Sequence, residues 1–350
     1  MRIITKPSTA KCNLQIYILF LLCEPRYVSC VHLAKIMENL SHDSINRFLL
    51  REDYTPKDLF IEVSPQIELE GGTVSVDDMV IDKLYSDKEK AELIDYFWSG
   101  KHKKVVKGIN IVTLYYTDRN GISVPANYRI VNKNERKTKH DYFLEMLAEV
   151  EAWGLKPSVV TGDSWYASKD NLNILKDKAL SGLFALEANR LVSLDDGVYV
   201  KIKSLDIPQD GLMVNLKKVG QVKIFRMVFK NEFRYYAMFV PNPEKISGLS
   251  WEDFQRIHDL HWEIEQYHRA LKQVCNIERF QVRESSAIRT HIFCAIRGFV
   301  QLEFLRFQGQ ILNWYSLQRN LFTEVIRSFI LDNLAAQFLD LNNLEKIASF

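Results

Sequence analysis

The sequence has no long apolar run. Its most hydrophobic stretch, residues 14–23, is about ten residues, roughly half of what a membrane-spanning helix needs. No small-residue cleavage site follows it in a suitable place, so it reads as a buried helix rather than a secretion signal. No membrane role is expected. Cysteine is scarce: five in 350 residues, at positions 12, 23, 30, 275 and 294, with no Cys-x-x-Cys pair. A scattered, odd set offers no disulfide framework and suits reduced thiols in a cytoplasmic protein. Internal repeats and low-complexity segments are also missing. Net charge is only +2, so the chain as a whole does not present itself as a polycation.

Ordinary globular material is present instead. Hydrophobic residues make up 47% and charged residues 26%, enough apolar mass for a core. The length allows one large domain or two to three smaller ones. Basic residues gather locally at 101–107 (KHKKVVK), 132–140 (NKNERKTKH) and 269–272 (RALK). Such clusters can track phosphates even where acidic residues cancel the total, although any one of them alone fits a solvated surface as well.

Periodicity divides the chain. Residues 12–52 read as three short helices, with Ser29 and Ser41 placed as caps, and residues 53–72 as a linker punctuated by Pro56, Pro65 and Gly71-Gly72. Residues 1–70 are therefore expected to form a helical N-terminal domain plus linker. That arrangement fits a helix-turn-helix DNA reader or any small bundle. From 71 to 189 the texture is α/β: a short strand ending in Asp77-Asp78, a hairpin over 109–131, an amphipathic helix, the strand PSVVT before Gly162-Asp163, another helix, and the strand GLFALEA. Residues 190–245 hold short β-prone runs between turn signals, expected as an antiparallel meander. Residues 246–350 read as helical, with Ser250 and Asp253 spaced as a capping box.

Three carboxylates stand where metal ligands belong. Asp78 and Asp163 follow strands, and Glu265 lies on the long C-terminal helix. Taken singly, each has an ordinary alternative as a turn, cap or solvated residue. Brought together, they would repel one another unless cations sat between them, and hard carboxylate oxygens suit Mg²⁺ or Mn²⁺. Two such ions would clamp the attacking and leaving oxygens of a phosphodiester. Only one of Asp77 and Asp78 can face the site, because neighbours in a strand point to opposite faces; Asp82 is a more remote choice. Along the helix, His258, His261, Glu265, His268 and Lys272 recur at spacings of three and four. They form a polar stripe beside an apolar one made by Leu260, Ile264, Tyr267, Leu271 and Val274. A row of cations around one carboxylate suits a phosphate backbone beside a metal. Trp165 and Trp262 flank the expected site, either as core residues or as platforms for a displaced base.

The segment HDLHWEIEQYHRALK, residues 258–272, resembles the Y-(2)-R-(3)-E-(6)-K signature of bacterial insertion-sequence transposases. Glu265 and Lys272 match its E-(6)-K part. VSVDDMVIDK and VVTGDSWYAS resemble the blocks around that group's first and second catalytic Asp, in the right order, and the resemblance runs from about residue 40 to 310. It implies an RNase H-like mixed sheet with helices, interrupted by a β-rich insertion, and an N-terminal helical domain that helps bind element ends. It also implies two divalent ions, Mg²⁺ or Mn²⁺, on Asp78, Asp163 and Glu265, and Lys272 on a phosphate near the cleaved end. His258 and His261 stand where the signature has Tyr and Arg, and a histidine is a weaker phosphate clamp than a guanidinium fork.

The expected activity is cut-and-paste DNA transposition: cleavage frees a 3′-hydroxyl, which then attacks another strand. Lys272, Arg269, His268, His261, His258, Lys107 and Trp262 are the expected DNA contacts, and a homodimer acting on two element ends is the expected assembly. Two other classes are compatible with the residues. One is a repurposed DNA-binding protein without catalysis. The other is a zinc hydrolase using His258, His261 and His268 with Glu265, which leaves Asp78 and Asp163 without a role.

Overall fold

The structure, a computed structural model, describes residues 11–195 and 197–335. Helices α1 (Leu14–Cys23), α2 (Cys30–Ile36) and α3 (His42–Arg51) open it. The side chains of Asn13, Ser29 and Ser41 accept from first-turn N–H groups that have no partner inside their helices. A fourth helix, α4 (Pro56–Val63), occupies the stretch expected as linker. Thr55 and Asp58 form a capping box, and Pro56 takes the first helical turn, where a missing N–H costs nothing. The proline taken as loop punctuation is a helix start.

One large mixed sheet follows. Its strands are β1 (Thr73–Asp82), β2 (Asp95–Ser99), β3 (Lys104–Thr117), β4 (Ser123–Ile130), β5 (Val159–Gly162), β6 (Ser181–Leu186), β7 (Leu191–Ser193), β8 (Val200–Lys201), β9 (Leu212–Leu216), β10 (Gly220–Phe229) and β11 (Glu232–Phe239). The order is β2-β3-β1-β5-β6-β11-β10-β9-β7-β8, with β4 also on β3. β1, β5 and β6 run parallel, and the remaining pairings are antiparallel. The β-rich segment after residue 190 is thus a continuation of the same sheet, joined through β11 against β6. β1 also runs further than expected. It continues to Asp82, so Asp77 and Asp78 sit in its middle and not at its end.

Helices cover both faces. α5 (Lys139–Ala152) and α6 (Lys169–Asp177) lie on one, where Val74, Val76, Val80, Val112 and Val160 meet Phe143, Leu147 and Leu172. α7 (Trp251–Gln273) and α8 (Ser285–Phe307) lie on the other, where Met79, Ile81 and Ile111 meet Ile264, Tyr267 and Phe299. The first half of α7 rests on the β-rich end through Phe254 and Ile257 against Val159, Phe225 and Tyr236. The capping box of Ser250 and Asp253 starts α7 where its sequence places it. The first helices bury Tyr17, Leu21, Ile45 and Phe48 in the same cluster as α7 and α8. The last described helix is α9 (Ser316–Ala335). No helix among the described residues is long and apolar enough to cross a membrane.

Candidate active site

The site forms where β1 and β5 run side by side beneath α7. Their parallel register ends with Val76 beside Gly162; Asp77 continues β1, and Asp163 opens the turn that follows β5. Residues level across a parallel pair face the same side of the sheet. On β5 the α7 face is that of Val159, which packs on Phe254 and Ile257, whereas Val160 faces the α5 layer. Gly162 permits the close approach. A Cβ there would lie 2.8 Å from Val76 Cγ1 and 2.9 Å from Phe184 Cε1.

Asp77 therefore looks toward α7. His268 of α7 reaches it, with Nδ1 3.5 Å from Asp77 Oδ2. Burial pushes the Asp77 carboxyl well above the usual carboxylate range, and the charges of Asp78, Asp163 and Glu265 push it further. Asp163 is raised to about 6, by burial first and Asp78 second. Its Oδ1 accepts from the backbone N–H groups of Trp165 (2.9 Å) and Tyr166 (3.3 Å), which fixes the carboxylate at the start of the turn. Glu265 is solvent-exposed on α7 and close enough for its charge to act on Asp77.

Asp78, the residue expected as first ligand, turns to the opposite face. Lys139 Nζ donates to both its oxygens at 2.7 Å, Asn110 Nδ2 donates at 2.6 Å, and the Tyr166 hydroxyl at 3.2 Å. The physical reason is the strand's two-residue period. Lys139, Asn110 and Tyr166 had no role in the sequence reading beyond the presence of Lys139 in a basic cluster. Asp82 is remote, held by His102 (2.8 Å) and Lys101 (3.0 Å).

The expected DNA contacts separate into two groups. Arg269 is exposed and Trp262 is 46% exposed, free to meet a large ligand. Lys272 is engaged: its ammonium donates to the Val80 carbonyl at 2.7 Å and pairs with Glu278 at 3.2 Å. Lys107 donates to the Ser86 carbonyl at 2.6 Å. His258 packs edge-on against Tyr236, with Nε2 3.3 Å from the hydroxyl. Burial lowers His261 to about 4 and His268 to about 3, so both are neutral imidazoles rather than cations. Trp165 is 59% exposed and stacks on His140.

Among the described residues, no three His, Cys, Asp or Glu side chains converge as they stand to ion-binding distance. The histidine set of a zinc enzyme is not assembled. His258 and His268 are ten residues apart, about 15 Å along the helix, and lie against different strands.

Comparison with known proteins places the chain. Residues 76–297 match the family model described as the transposase DDE domain. Among curated proteins none matches. Among solved structures, the piggyBac transposase in a synaptic complex with hairpin DNA is similar in fold. At 14% identity the match covers 96% of this chain and 74% of that one, with a TM-score of 0.53. Partial matches are the Bacillus subtilis endonuclease V (10% identity, 61% and 91% covered, TM-score 0.28) and the Drosophila P element transposase strand transfer complex (11%, 55% and 41%, 0.26). The family match spans well over half of the chain and includes both aspartates of the β1–β5 pair and Glu265. The chain belongs to the transposase DDE domain family and is a DNA transposase, an enzyme of DNA strand cleavage and transfer.

Proposed function

We propose that Asp77, Asp163 and Glu265 are the three catalytic carboxylates and that Asp78, expected from the sequence, supports them from the other face. The observation that carries this reading is the position of Asp77: it faces the helix that bears Glu265, one residue past the Val76–Gly162 pair that Asp163 follows, and the charges of both act on it. DDE transposases generally use divalent metal ions, and this donor set fits them. It is all carboxylate, and the Asp77 carboxyl is pushed up by three acidic neighbours, a repulsion that a divalent cation relieves. Two Mg²⁺ or Mn²⁺ ions held there would supply charge stabilisation for the attacking and leaving oxygens of a phosphodiester.

The chain's own residues do the positioning. The Asx turn at Trp165 and Tyr166 holds Asp163, and Gly162 sets its depth. His268, neutral, orients Asp77. Lys139 pairs with Asp78 and holds it on the α5 side of β1. The mixed sheet flanked by helices is read as an RNase H-like core running from residue 71, with 190–245 as its β-rich insertion and 246–350 carrying the glutamate. DNA is the substrate. By likeness to the synaptic complex named above, two copies would hold two element ends of an insertion sequence, with the helices before residue 71 contributing to end binding.

The test is nicking of labelled DNA that carries the element's own ends, with Mg²⁺ or Mn²⁺. Asp77→Asn and Asp163→Asn are expected to reduce nicking roughly a thousandfold or more while DNA binding persists. Asp78→Asn is expected to reduce it about tenfold, as for a residue behind a ligand. Equal loss in Asp78→Asn with an active Asp77→Asn would overturn the assignment. DNA binding without metal-dependent nicking by the unmodified chain would favour a repurposed binding protein.

A further inference from the structure

The carboxylate of Glu278 stands against Lys272, the lysine that the resemblance to insertion-sequence transposases sets on a DNA phosphate. Lys272 Nζ donates to the Val80 carbonyl at 2.7 Å and lies 3.2 Å from Glu278 Oε1. Val80 is three residues beyond Asp77 on β1, about 10 Å along the strand. The ammonium is therefore within reach of a DNA strand brought to the catalytic carboxylates. Two further cations face Glu278. The charge of Lys101, 62% exposed at the turn between β2 and β3, acts on it while that lysine bonds Asp82 at 3.0 Å. The charge of Lys83 acts on it as well. Lys83 also pins the main chain, donating to the carbonyls of Glu278 at 2.8 Å and Phe280 at 2.7 Å. The backbone at 278 is fixed, and the side chain alone is free to swing.

This contact differs from the ion pair behind the site. There, Asp78 accepts from Lys139 with both oxygens and from Asn110 and Tyr166 besides. Glu278 Oε1 is shut off from water and accepts no hydrogen bond among the described residues, although the ammonium is close. A buried carboxylate oxygen without a hydrogen bond is held at a cost, and release into water recovers its hydration. The way out is open. The Glu278 side chain is 24% exposed and lies in the turn after α7, not on the helix.

We propose that Glu278 is an internal competitor for DNA: it occupies the ammonium of Lys272 until a backbone phosphate displaces it, and so sets how tightly an element end is bound. Carboxylate and phosphate oxygens offer an ammonium the same kind of acceptor. The exchange keeps the lysine paired, frees Glu278 to hydrate and releases a counterion from the DNA. Glu278 acts through Lys272 and is a positioning residue. The inference rests on the reading of Asp77, Asp163 and Glu265 as the site to which the strand is brought.

The experiment measures binding of the full chain to a labelled duplex carrying the element's end. Salt is varied and no divalent ion is added, so that DNA is bound and not cut. Melting curves set a temperature at which every variant is folded. Glu278→Gln keeps the shape, removes the charge and should bind about tenfold tighter. Glu278→Asp keeps the charge but draws it back from the ammonium, and its affinity should lie between the two. Lys272→Met should weaken binding and lower the salt slope by about one. In the Lys272→Met chain, Glu278→Gln should gain about twofold at most, because no lysine is left to compete for. Unchanged or weaker binding in Glu278→Gln, the same gain with and without Lys272, or Glu278→Asp matching the unmodified chain would each overturn the proposal. Metal-dependent nicking, and its loss in Asp77→Asn, is scored apart. The carboxylate assignment can therefore fail while the binding cycle still reports on Glu278, and the reverse.

Discussion

Asp77 and Asp78 are consecutive in β1, yet Asp77 meets His268 of the α7 layer and Asp78 meets Lys139 of the α5 layer. One step along a strand moves a side chain through the sheet. The two residues therefore differ in what they can do. Asp77 faces the helix of Glu265, and Asp78 is held in an ion pair with Lys139 on the other face.

That difference has a thermodynamic readout that needs no DNA. If divalent ions bind where Asp77, Asp163 and Glu265 repel one another, Mn²⁺ should raise the melting temperature of the unmodified protein. At a hundredfold excess over Kd the expected gain is about 2.7 kcal/mol. Asp77→Asn and Glu265→Gln should abolish the shift, and Asp78→Asn should keep most of it. A melting temperature indifferent to Mn²⁺ in the unmodified protein would count against the donor set itself.

Much of this architecture is legible in the sequence. Ser250 and Asp253 announced the start of α7, and the two strand-Asp blocks and the glutamate helix came in the order the fold uses. Which of Asp77 and Asp78 faces α7 is not legible in the sequence, for a physical reason. β1 is covered on both faces, so its sequence lacks the alternation that tells one face from the other. Its length was hidden in the same way, since two acidic residues in mid-strand look like a strand's end. Lys272 was another limit. Its helical spacing aligns it with Glu265, but spacing cannot show that its ammonium is taken up by the Val80 carbonyl. The α4 helix departs from the expected linker because Pro56 suits a loop or a first helical turn equally well, and the capping partner Asp58 decides between them.

The Lys139–Asp78 pair should behave as a buried charge pair. Its two side chains are 24% and 12% exposed, and Asn110 and Tyr166 complete the carboxylate's hydrogen bonding. Lys139→Met leaves that carboxylate without its cation and is expected to cost about 3 kcal/mol in urea unfolding. Adding Asp78→Asn should recover a substantial part of the loss, giving a coupling of at least about 1 kcal/mol. Strictly additive single and double variants would show that the pair is not coupled.

Acid should destabilise the protein through His291. The ring is fully buried between α1 and the chain after α7: Nε2 donates to the Asn276 carbonyl at 3.3 Å, which leaves Nδ1 to accept from the Tyr17 hydroxyl at 2.9 Å. Burial, with the Lys83 charge second, lowers its pKa from the ordinary 6.5 of an imidazole to about 3. Between those values the unfolded chain holds the extra proton. The stability is therefore complete above about pH 6.5 and drains as pH falls toward 3, by up to about 1.4 kcal/mol per pH unit for one group. His261 and His268 act with the same sign, so the informative quantity is the difference between variants. His291→Gln should be less stable at neutral pH and flatter in its dependence between pH 6.5 and 4.5. Parallel curves would remove His291 from the acid response.

Gly162 connects packing to catalysis most directly. A methyl group there would press on Val76 and Phe184, whose side chains belong to the well-packed α5 face. Gly162→Ala is expected to cost about 1–3 kcal/mol of stability, the usual range for overpacking. Its effect on nicking should be larger than the stability loss explains. The strain falls one residue before Asp163, and a displacement of about 1 Å at a reacting group can cost roughly a hundredfold. Val76→Ala in the same chain removes one of the two close contacts and should return part of the activity. If Gly162→Ala loses stability but nicks at the unmodified rate once folded, the depth of Asp163 does not depend on the β1–β5 approach.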